Sequence, residues 1–144
     1  MKELHTEIEI DAPPERVWRL LTDFAAYPQW NPFILYVQGE AKQGARLAVA
    51  IRLPAGKTMQ FRPTVRMAQQ NCELRWLGHF LIPGLFDGEH IFTIEPLGAK
   101  GVRFIQREML TGLLVPLFAR WLEASTRRGF EEMNRALKAR AEGK

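Results

Sequence analysis

The sequence predicts an α+β fold of the helix-grip type, formed by one domain over residues 1–144. In this fold a curved antiparallel sheet of about seven strands wraps around a long C-terminal helix, and two short helices follow the first strand. Two observations predict it. Apolar and polar residues alternate at the start of the chain and again from residue 33 to about residue 110, whereas apolar residues recur at helical spacing from about Thr111 to Ala141. The helix and the sheet each have an apolar surface to bury, so the helix must lie across one face of the sheet.

The N-terminal segment predicts one strand and two short helices. Apolar residues alternate with polar ones in LHTEIEID, which is typical of a half-buried strand. A helix begins at Pro14, where the missing N–H costs nothing, and apolar residues follow at helical spacing. Pro28 and Pro32 then limit a second helix to one or two turns.

Six further segments alternate as β-strands do and are joined by short turns. Pro63 predicts an edge strand or a bulge in the third segment, because proline cannot donate a ladder hydrogen bond. Alternation turns Leu35, Val37 and Met67 inward and Tyr36 outward. The segments are FILYVQGE, ARLAVAIRL, MQFRPTVRMAQ, CELRWLGHF, GEHIFTIEPL and GVRFIQREML.

The C-terminal helix is predicted to have one apolar stripe, with charged residues opposite. Ser125 and Gly129 narrow the stripe in its middle. These small side chains either let the helix approach the sheet closely or leave a hollow beneath it. The stripe consists of Leu114, Leu117, Phe118, Trp121, Leu122, Ser125, Gly129, Met133 and Leu137.

Composition and motifs exclude several classes of protein. The chain is 47% hydrophobic and 25% charged, as in an ordinary globular domain, and no apolar run is long enough to span a membrane. The N-terminus lacks a signal-peptide core, so a cytoplasmic location is expected. The single cysteine cannot form an internal disulfide, and the three histidines are too scattered for a zinc site. Nucleotide-binding and serine-hydrolase motifs are absent, and no metal or cofactor is expected.

The basic residues do not predict a nucleic-acid site. The net charge is only +4, and the basic residues are dispersed along the chain. Five arginines fall on the convex face of the sheet, where they predict a solvated surface partly paired with Glu73 and Glu95. A patch that docks another protein is the alternative. The five are Arg62, Arg66, Arg75, Arg103 and Arg107.

Two stretches of the chain resemble a known superfamily. IDAPPERVWRLLTDFAAYPQWNPF, with its strand, its P-x-x-V-W helix and its Y-P-x-W-N-P loop, is similar to the SRPBCC (START-like) superfamily, above all to its polyketide cyclase/dehydratase-like branch. GEHIFTIEPLGAKGVRFIQREMLTGLL, followed by the long helix, is similar to the C-terminal half of those proteins. The resemblance covers essentially the whole chain and implies a ligand-binding domain with the helix-grip fold. It does not imply one activity, because the superfamily includes lipid carriers, hormone receptors, aromatase/cyclases and chaperone cofactors.

Three polar residues of the last hairpin, His90, Gln106 and Glu108, fall in step with its apolar residues. If the loop is PLGAKG, residues whose numbers sum to 198 face each other across the two strands. Opposed Cβ atoms are about 4.5–5.5 Å apart, which is close enough for a hydrogen bond between an imidazole and a carboxylate. The predicted pairs are Ile94 with Phe104, Phe92 with Gln106 and His90 with Glu108.

Large side chains are the candidates for the wall of a cavity under the helix. Trp30 and Phe33 lie on a proline-bounded loop, and Phe80–Phe86 form a second loop, in which Gly84 permits a hinge. Both loops are candidates for the cavity rim, and several of the aromatic residues are expected to be plain core. The predicted ligand-binding residues are Trp30, Phe33, Phe61, Trp76, Phe86, Phe92, Phe104, Gln106, Leu117, Trp121 and Ser125.

The sequence favours binding of a hydrophobic small molecule, lipid-like or aromatic and polyketide-like, without chemistry. The alternative is a cyclase/dehydratase-type enzyme in which His90 and Glu108 are the catalytic acid/base pair. Such an enzyme needs a further proton donor, for which Tyr27, Tyr36 and Thr126 are the candidates. His90 and Glu108 could also satisfy each other and be purely structural, and an adaptor that uses the convex arginines is the third hypothesis.

Overall fold

The computed structural model describes residues 1–53, 56–80 and 82–144, except for the side chains of Ala119 and Leu122. Two predictions therefore concern positions outside the described residues: Leu122 as a stripe side chain and Leu81 as part of the rim loop. The helices are α1 Pro14–Thr22, α2 Tyr27–Trp30 and α3 Val115–Ala141. The strands are β1 Lys2–Ile10, β2 Ile34–Gln38, β3 Ala48–Arg52, β4 Thr58–Phe61, β5 Thr64–Gln69, β6 Glu73–Phe80, β7 Phe86–Pro96 and β8 Val102–Thr111.

The α+β fold class is confirmed, and the described residues form eight strands in two antiparallel sheets. One sheet has the order β1-β8-β7-β6-β5 and the other the order β2-β3-β4. The segment predicted as one strand around Pro63 forms two, because the chain passes from one sheet to the other there. The Pro63 carbonyl accepts a hydrogen bond from the Leu47 N–H, and Arg46 bridges Thr64, so the two sheets remain joined at this corner.

The predicted register of the last hairpin is confirmed. Strands β7 and β8 pair Ile94 with Phe104, Phe92 with Gln106 and His90 with Glu108. The neighbouring strands continue the last of these pairs across the sheet, since β6 places Trp76 beside His90 and β1 places Leu4 beside Glu108. His90 and Glu108 therefore lie side by side in the middle of the five-stranded sheet.

Two β-bulges change the predicted facing of side chains. The pairing shifts between Ile34 and Tyr36 in β2, so Ile34 is fully buried and Leu35 is only half-buried. A second shift follows Val65 in β5, and Met67, which was predicted to face inward, is exposed. Each bulge places two residues opposite one and so interrupts strict alternation. Tyr36 faces outward as predicted.

The long helix α3 packs on the sheet through its C-terminal half. Phe130, Met133 and Leu137 are buried, whereas Leu117 and Trp121 are 74% and 60% exposed. The predicted stripe is therefore apolar along its whole length but buried along only part of it. The described residues contain no helix that is long and apolar enough to cross a membrane.

Gly129 is the point of close approach between α3 and the loop before β2. A Cβ atom at this position would overlap the ring of Phe33, and Phe33 in turn makes an edge contact with Phe130, with ring centroids 5.6 Å apart. The small residues of the stripe were expected either to allow close packing or to leave a hollow, and Gly129 allows close packing. Ser125 lies one turn earlier, where a pocket opens.

The convex arginines are largely paired on the sheet surface. Arg75 Nε lies 2.6 Å from Glu73 Oε2, and Arg103 Nη1 lies 2.7 Å from Glu95 Oε1, as the sequence predicted. Arg107 Nη1 lies 3.4 Å from Glu3 Oε1. Exposed pairs of this kind contribute little to stability. The other two convex arginines, Arg62 and Arg66, make no ion pair within the described residues.

Candidate functional site

An apolar cavity of about 100 Å³ lies between α3 and the two sheets. Three polar side chains line it, those of His90, Glu108 and Thr126, and the remaining wall is aliphatic or aromatic. Those apolar residues are Leu4, Phe33, Ile51, Leu53, Met59, Phe61, Phe80, Phe86, Leu110, Trp121 and Phe130. We call this space the inner cavity.

His90 is enclosed by aromatic rings. Its imidazole stacks on Phe92, with centroids 4.2 Å apart and planes inclined by 20°, and also contacts Phe130 and Trp76. Burial among these rings lowers the pKa of His90 to about 3, because the imidazolium would lose its hydration. The hydrogen bond to Gln106 raises the pKa and offsets only part of this effect. His90 is therefore neutral at physiological pH.

A chain of buried hydrogen bonds fixes the tautomer of His90. Asn134 Nδ2 donates to Thr6 Oγ1 over 3.0 Å, so Asn134 Oδ1 is left to accept from Gln106 Nε2 over 2.7 Å. The remaining Gln106 atom, Oε1, lies 2.8 Å from His90 Nε2 and is an acceptor. His90 Nε2 must therefore carry the proton, and Nδ1 has a free lone pair.

Glu108 has a buried oxygen without a partner. Its Oε2 makes no hydrogen bond within the described residues, and the nearest His90 atom, Nδ1, is 3.7 Å away. The predicted hydrogen bond between His90 and Glu108 is thus wrong, because strand register brings the side chains together but does not bring these atoms into bonding range. Gly88 makes room for the carboxyl, since a Cβ atom there would lie 3.1 Å from Glu108 Oε1.

Burial raises the pKa of Glu108 to about 8, and the nearby negative charge of Glu89 acts in the same direction. The carboxyl group is therefore mostly protonated at neutral pH. A protonated carboxyl has an O–H that can donate a hydrogen bond, and within the described residues nothing accepts one from Oε2. Glu108 thus brings a free donor to a wall that is mostly apolar.

A second, wider pocket of about 550 Å³ adjoins the inner cavity and shares Phe33, Leu53 and Trp121 with it. We call it the outer pocket. Its other wall residues come from the end of β3, the following loop and α3. They are Arg52, Gly56, Ala124, Ser125, Arg128, Gly129 and Glu132.

The structure brings about half of the sequence-predicted site residues together. His90, Glu108, Phe33, Phe61, Phe86 and Trp121 line the inner cavity, and Ser125 lines the outer pocket. Trp76, Phe92 and Gln106 are buried against His90, and Phe104 is buried against Phe92, but none of these four residues lines either space. Trp30 packs edge-on against Tyr27, and Leu117 is exposed on α3.

Sequence reasoning missed two members of the polar chain, Thr6 and Asn134. A signal existed for both, since Thr6 occupies an apolar position in the alternation of β1 and Asn134 directly follows the stripe residue Met133. Of the three candidate proton donors, only Thr126 lines the inner cavity. Tyr27 donates instead to the Leu21 carbonyl, and Tyr36 to Gln38.

No group of three or more His, Cys, Asp or Glu side chains that could hold a metal ion occurs in residues 1–53, 56–80 and 82–144. A model of the family described as "Polyketide cyclase / dehydrase and lipid transport" matches residues 1–142. The chain belongs to this family. No curated protein matches its sequence significantly.

Solved structures place this member of the polyketide cyclase/dehydrase family within the START-like fold. A START superfamily protein from Mycobacterium smegmatis is similar over 98% of this chain and 97% of its own, with a TM-score of 0.77 and 23% identity. The protein TTHA0849 from Thermus thermophilus is similar over 99% and 98% of the two chains, with a TM-score of 0.77 and 20% identity.

The family member is also similar to StfQ, a di-domain ARO/CYC protein from the steffimycin biosynthetic pathway, with a TM-score of 0.77 and 13% identity. The similarity covers 98% of this chain but only 50% of StfQ. At these identities the likeness concerns the fold alone. Family and fold are consistent with a polyketide cyclase/START-like ligand-binding domain.

Proposed function

We propose that this protein binds a hydrophobic small molecule, lipid-like or aromatic and polyketide-like, in the inner cavity. The neutral carboxyl of Glu108 donates a hydrogen bond to an oxygen atom of that molecule. The observation that carries the proposal is the buried Oε2 of Glu108, which has no partner among the described residues and belongs to a side chain on the wall of a mostly apolar space. An unpartnered buried polar atom costs about 1–3 kcal/mol, which a ligand oxygen would recover.

The sizes of the two spaces indicate how such a ligand is held. An apolar cavity of about 150 Å³ accommodates a single benzene ring, and the inner cavity is smaller, at about 100 Å³. Pockets for larger ligands measure about 300–1,000 Å³, a range that includes the outer pocket at about 550 Å³. A ligand of ordinary size therefore inserts one end into the inner cavity and fills the outer pocket with the rest.

The second candidate is an enzyme of the cyclase/dehydratase type. The observation that favours it is the pair of neutral groups on one cavity wall, a free lone pair on His90 Nδ1 beside the protonated Glu108. In such an enzyme His90 removes a proton from a carbon next to a carbonyl, while Glu108 protonates the carbonyl oxygen and yields an enol. When the enol carbon adds to a second carbonyl, Glu108 recovers its proton from the enol O–H and His90 passes its proton to the new alkoxide. When water is lost instead, His90 passes its proton to the departing hydroxyl group and Glu108 recovers its proton from the enol O–H.

The low pKa of His90 argues against this second candidate. A general base works best when its pKa lies near the working pH, and the pKa of His90 is lowered to about 3. Such an imidazole is a weak base, and its protonated form would be buried among aromatic rings. Binding without chemistry requires no change in the protonation of either group, because neutral His90 is part of the wall and protonated Glu108 is the donor.

A neutral fluorescent naphthalene ketone, prodan, tests the proposal directly, since its emission responds to a hydrogen bond on its carbonyl. We expect saturable binding by the wild type at pH 6.5 and similar affinity for Glu108→Gln, because the amide retains an N–H donor. Glu108→Leu should bind about tenfold more weakly, since the donor is gone. Glu131→Leu on the exposed face of α3 is the matched control and should behave as the wild type.

Two outcomes would overturn the proposal: a wild type that binds neither prodan nor any co-purifying apolar molecule, or a Glu108→Leu variant with unchanged affinity and emission. The enzyme is tested separately with His90→Phe, which retains ring stacking but removes the base. If a substrate of this protein is turned over, loss of turnover in both His90→Phe and Glu108→Gln, with binding intact, would favour catalysis.

A further inference from the structure

The outer pocket, which shares part of its wall with the inner cavity, is lined by two arginines. Arg52 ends β3, and its backbone N–H donates to the Phe33 carbonyl over 2.9 Å, which ties it to a wall shared by both spaces. Arg128 lies on α3, one residue before the close contact of Gly129 with Phe33. Strand and helix thus each bring one arginine to the same pocket.

Neither guanidinium is used by the fold. Within residues 1–53, 56–80 and 82–144, the side chains of Arg52 and Arg128 make no ion pair and no hydrogen bond. By contrast, Arg103 on the convex face pairs with Glu95, and Arg127, the neighbour of Arg128, donates to the His5 carbonyl. Two unpaired cations in one concave pocket indicate recognition of an anion, because arginine binds carboxylates and phosphates through a fork of N–H donors.

The third charged residue of the pocket, Glu132, limits the charge of that anion. Its carboxylate lines the same space and has no ion pair within the described part of the chain. Two arginines against one glutamate leave a single net positive charge on the wall. This balance matches a ligand group with one negative charge, such as a carboxylate, better than a doubly charged phosphate.

The two spaces therefore differ as the two ends of an amphipathic molecule do. The inner cavity is apolar apart from neutral His90, Thr126 and the neutral carboxyl of Glu108, so it rejects a charge. The outer pocket has the free cations and reaches solvent. Phe33, Leu53 and Trp121 connect the two along one apolar wall.

We propose that the ligand is an amphipathic monocarboxylic acid, whose apolar part enters the inner cavity and whose carboxylate binds Arg52 and Arg128 in the outer pocket. This inference rests on the proposed function, because it presumes an apolar ligand in the inner cavity. It adds the chemical class of the ligand and its orientation, with the apolar end in the inner cavity and the carboxylate in the outer pocket.

Decanoate and the neutral 1-decanol form a matched pair of probes, and their binding to the full chain is measured by calorimetry at pH 6.5. We expect decanoate to bind the wild type about tenfold more tightly than 1-decanol. Arg52→Gln/Arg128→Gln should lose that advantage and leave 1-decanol binding unchanged. Glu132→Gln should strengthen decanoate binding severalfold, since it removes the opposing charge.

The control for overall charge is Arg66→Gln/Arg135→Gln, which removes two positive charges from exposed positions outside both spaces. It should preserve the preference for decanoate. Equal affinity for the two probes, or a preference that survives Arg52→Gln/Arg128→Gln, would overturn the inference. Either result would leave the proposed binding of an apolar ligand in the inner cavity intact. Binding of neither probe would overturn the proposed function as well.

Discussion

His90 Nδ1 and Glu108 Oε2 lie 3.7 Å apart on one wall of the inner cavity, and neither atom makes a hydrogen bond within the described residues. Both groups are neutral near pH 7, since burial lowers the pKa of the imidazole and raises that of the carboxyl. The two side chains are therefore not an ion pair. They give this wall a free donor and a free acceptor.

The pKa of Glu108 predicts how stability changes with pH. Its folded-state pKa of about 8 exceeds the usual 4.5, so the folded state holds the proton more tightly and stability falls as pH rises from 4.5 to 8. His90 acts oppositely between pH 3 and 6.5, and the two effects cancel in part below pH 6.5. Between pH 6.5 and 8.5 only Glu108 contributes, so the free energy of unfolding should drop by up to about 2 kcal/mol.

Urea unfolding of the wild type and Glu108→Gln at pH 6.5 and 8.5 measures this drop. The variant has no carboxyl to ionise and should show nearly the same free energy of unfolding at both pH values. Identical pH slopes for the two proteins would mean that Glu108 is not a buried neutral acid.

His90 should remain neutral over a wide range of pH. Its ring ¹⁵N signals are expected to report the Nε2–H tautomer from pH 4.5 to 8, because Gln106 Oε1 accepts that proton and burial opposes a second one. A His90 signal that titrates near pH 6.5 would contradict the proposed environment.

Gly129 should resist substitution because of Phe33. In Gly129→Ala the new methyl group overlaps the Phe33 ring, and we expect a loss of about 1–3 kcal/mol in the free energy of unfolding. In a Phe33→Ala background the same change should stabilise by up to about 1 kcal/mol, since alanine favours a helix over glycine. Thermal or urea unfolding of the four proteins checks this, and equal effects in both backgrounds would rule out the contact.

The burial of α3 predicts unequal costs for one substitution at its two ends. Leu137→Ala should cost about 2–5 kcal/mol, because Leu137 is fully buried. Leu117→Ala should change the free energy of unfolding by no more than about 0.5 kcal/mol, because Leu117 is 74% exposed. A comparable loss at both positions would show that the N-terminal half of the helix is packed as well.

The register of the last hairpin was predictable because the loop PLGAKG and the alternation of the two strands predict the same pairs. Alternation places Ile94 and Phe104 on one face, and a one-residue slip would turn the apolar residues of the two strands to opposite faces. Pro63 predicted an edge strand or a bulge in its segment, and β5 lies at the edge of its sheet and has a bulge, although the sequence did not show that the bulge would turn Met67 outward. The bulge in β2 was not predictable, since an extra residue leaves no mark in the alternation around Leu35. Helical spacing likewise shows which face of α3 is apolar, but not how far the sheet extends beneath Leu117 and Trp121.

The candidate site was predictable in membership but not in chemistry. The apolar register of His90 and Glu108 indicated that both face the core, and both do. Whether they bond depends on the rotamers and on rings from distant segments, such as Phe130, that enclose His90. The two free arginines of the outer pocket escaped notice, because Arg52 and Arg128 meet only once the strand and the helix are packed together.

Infrared difference spectroscopy tests the protonated donor of Glu108 most directly. At pH 7 the wild type should show the carbonyl stretch of a protonated carboxylic acid that is absent from Glu108→Gln, and prodan should shift that band as its ketone accepts the hydrogen bond. A wild-type spectrum without a protonated carboxyl, or a band that saturating prodan leaves in place, would contradict a ligand site built around Glu108.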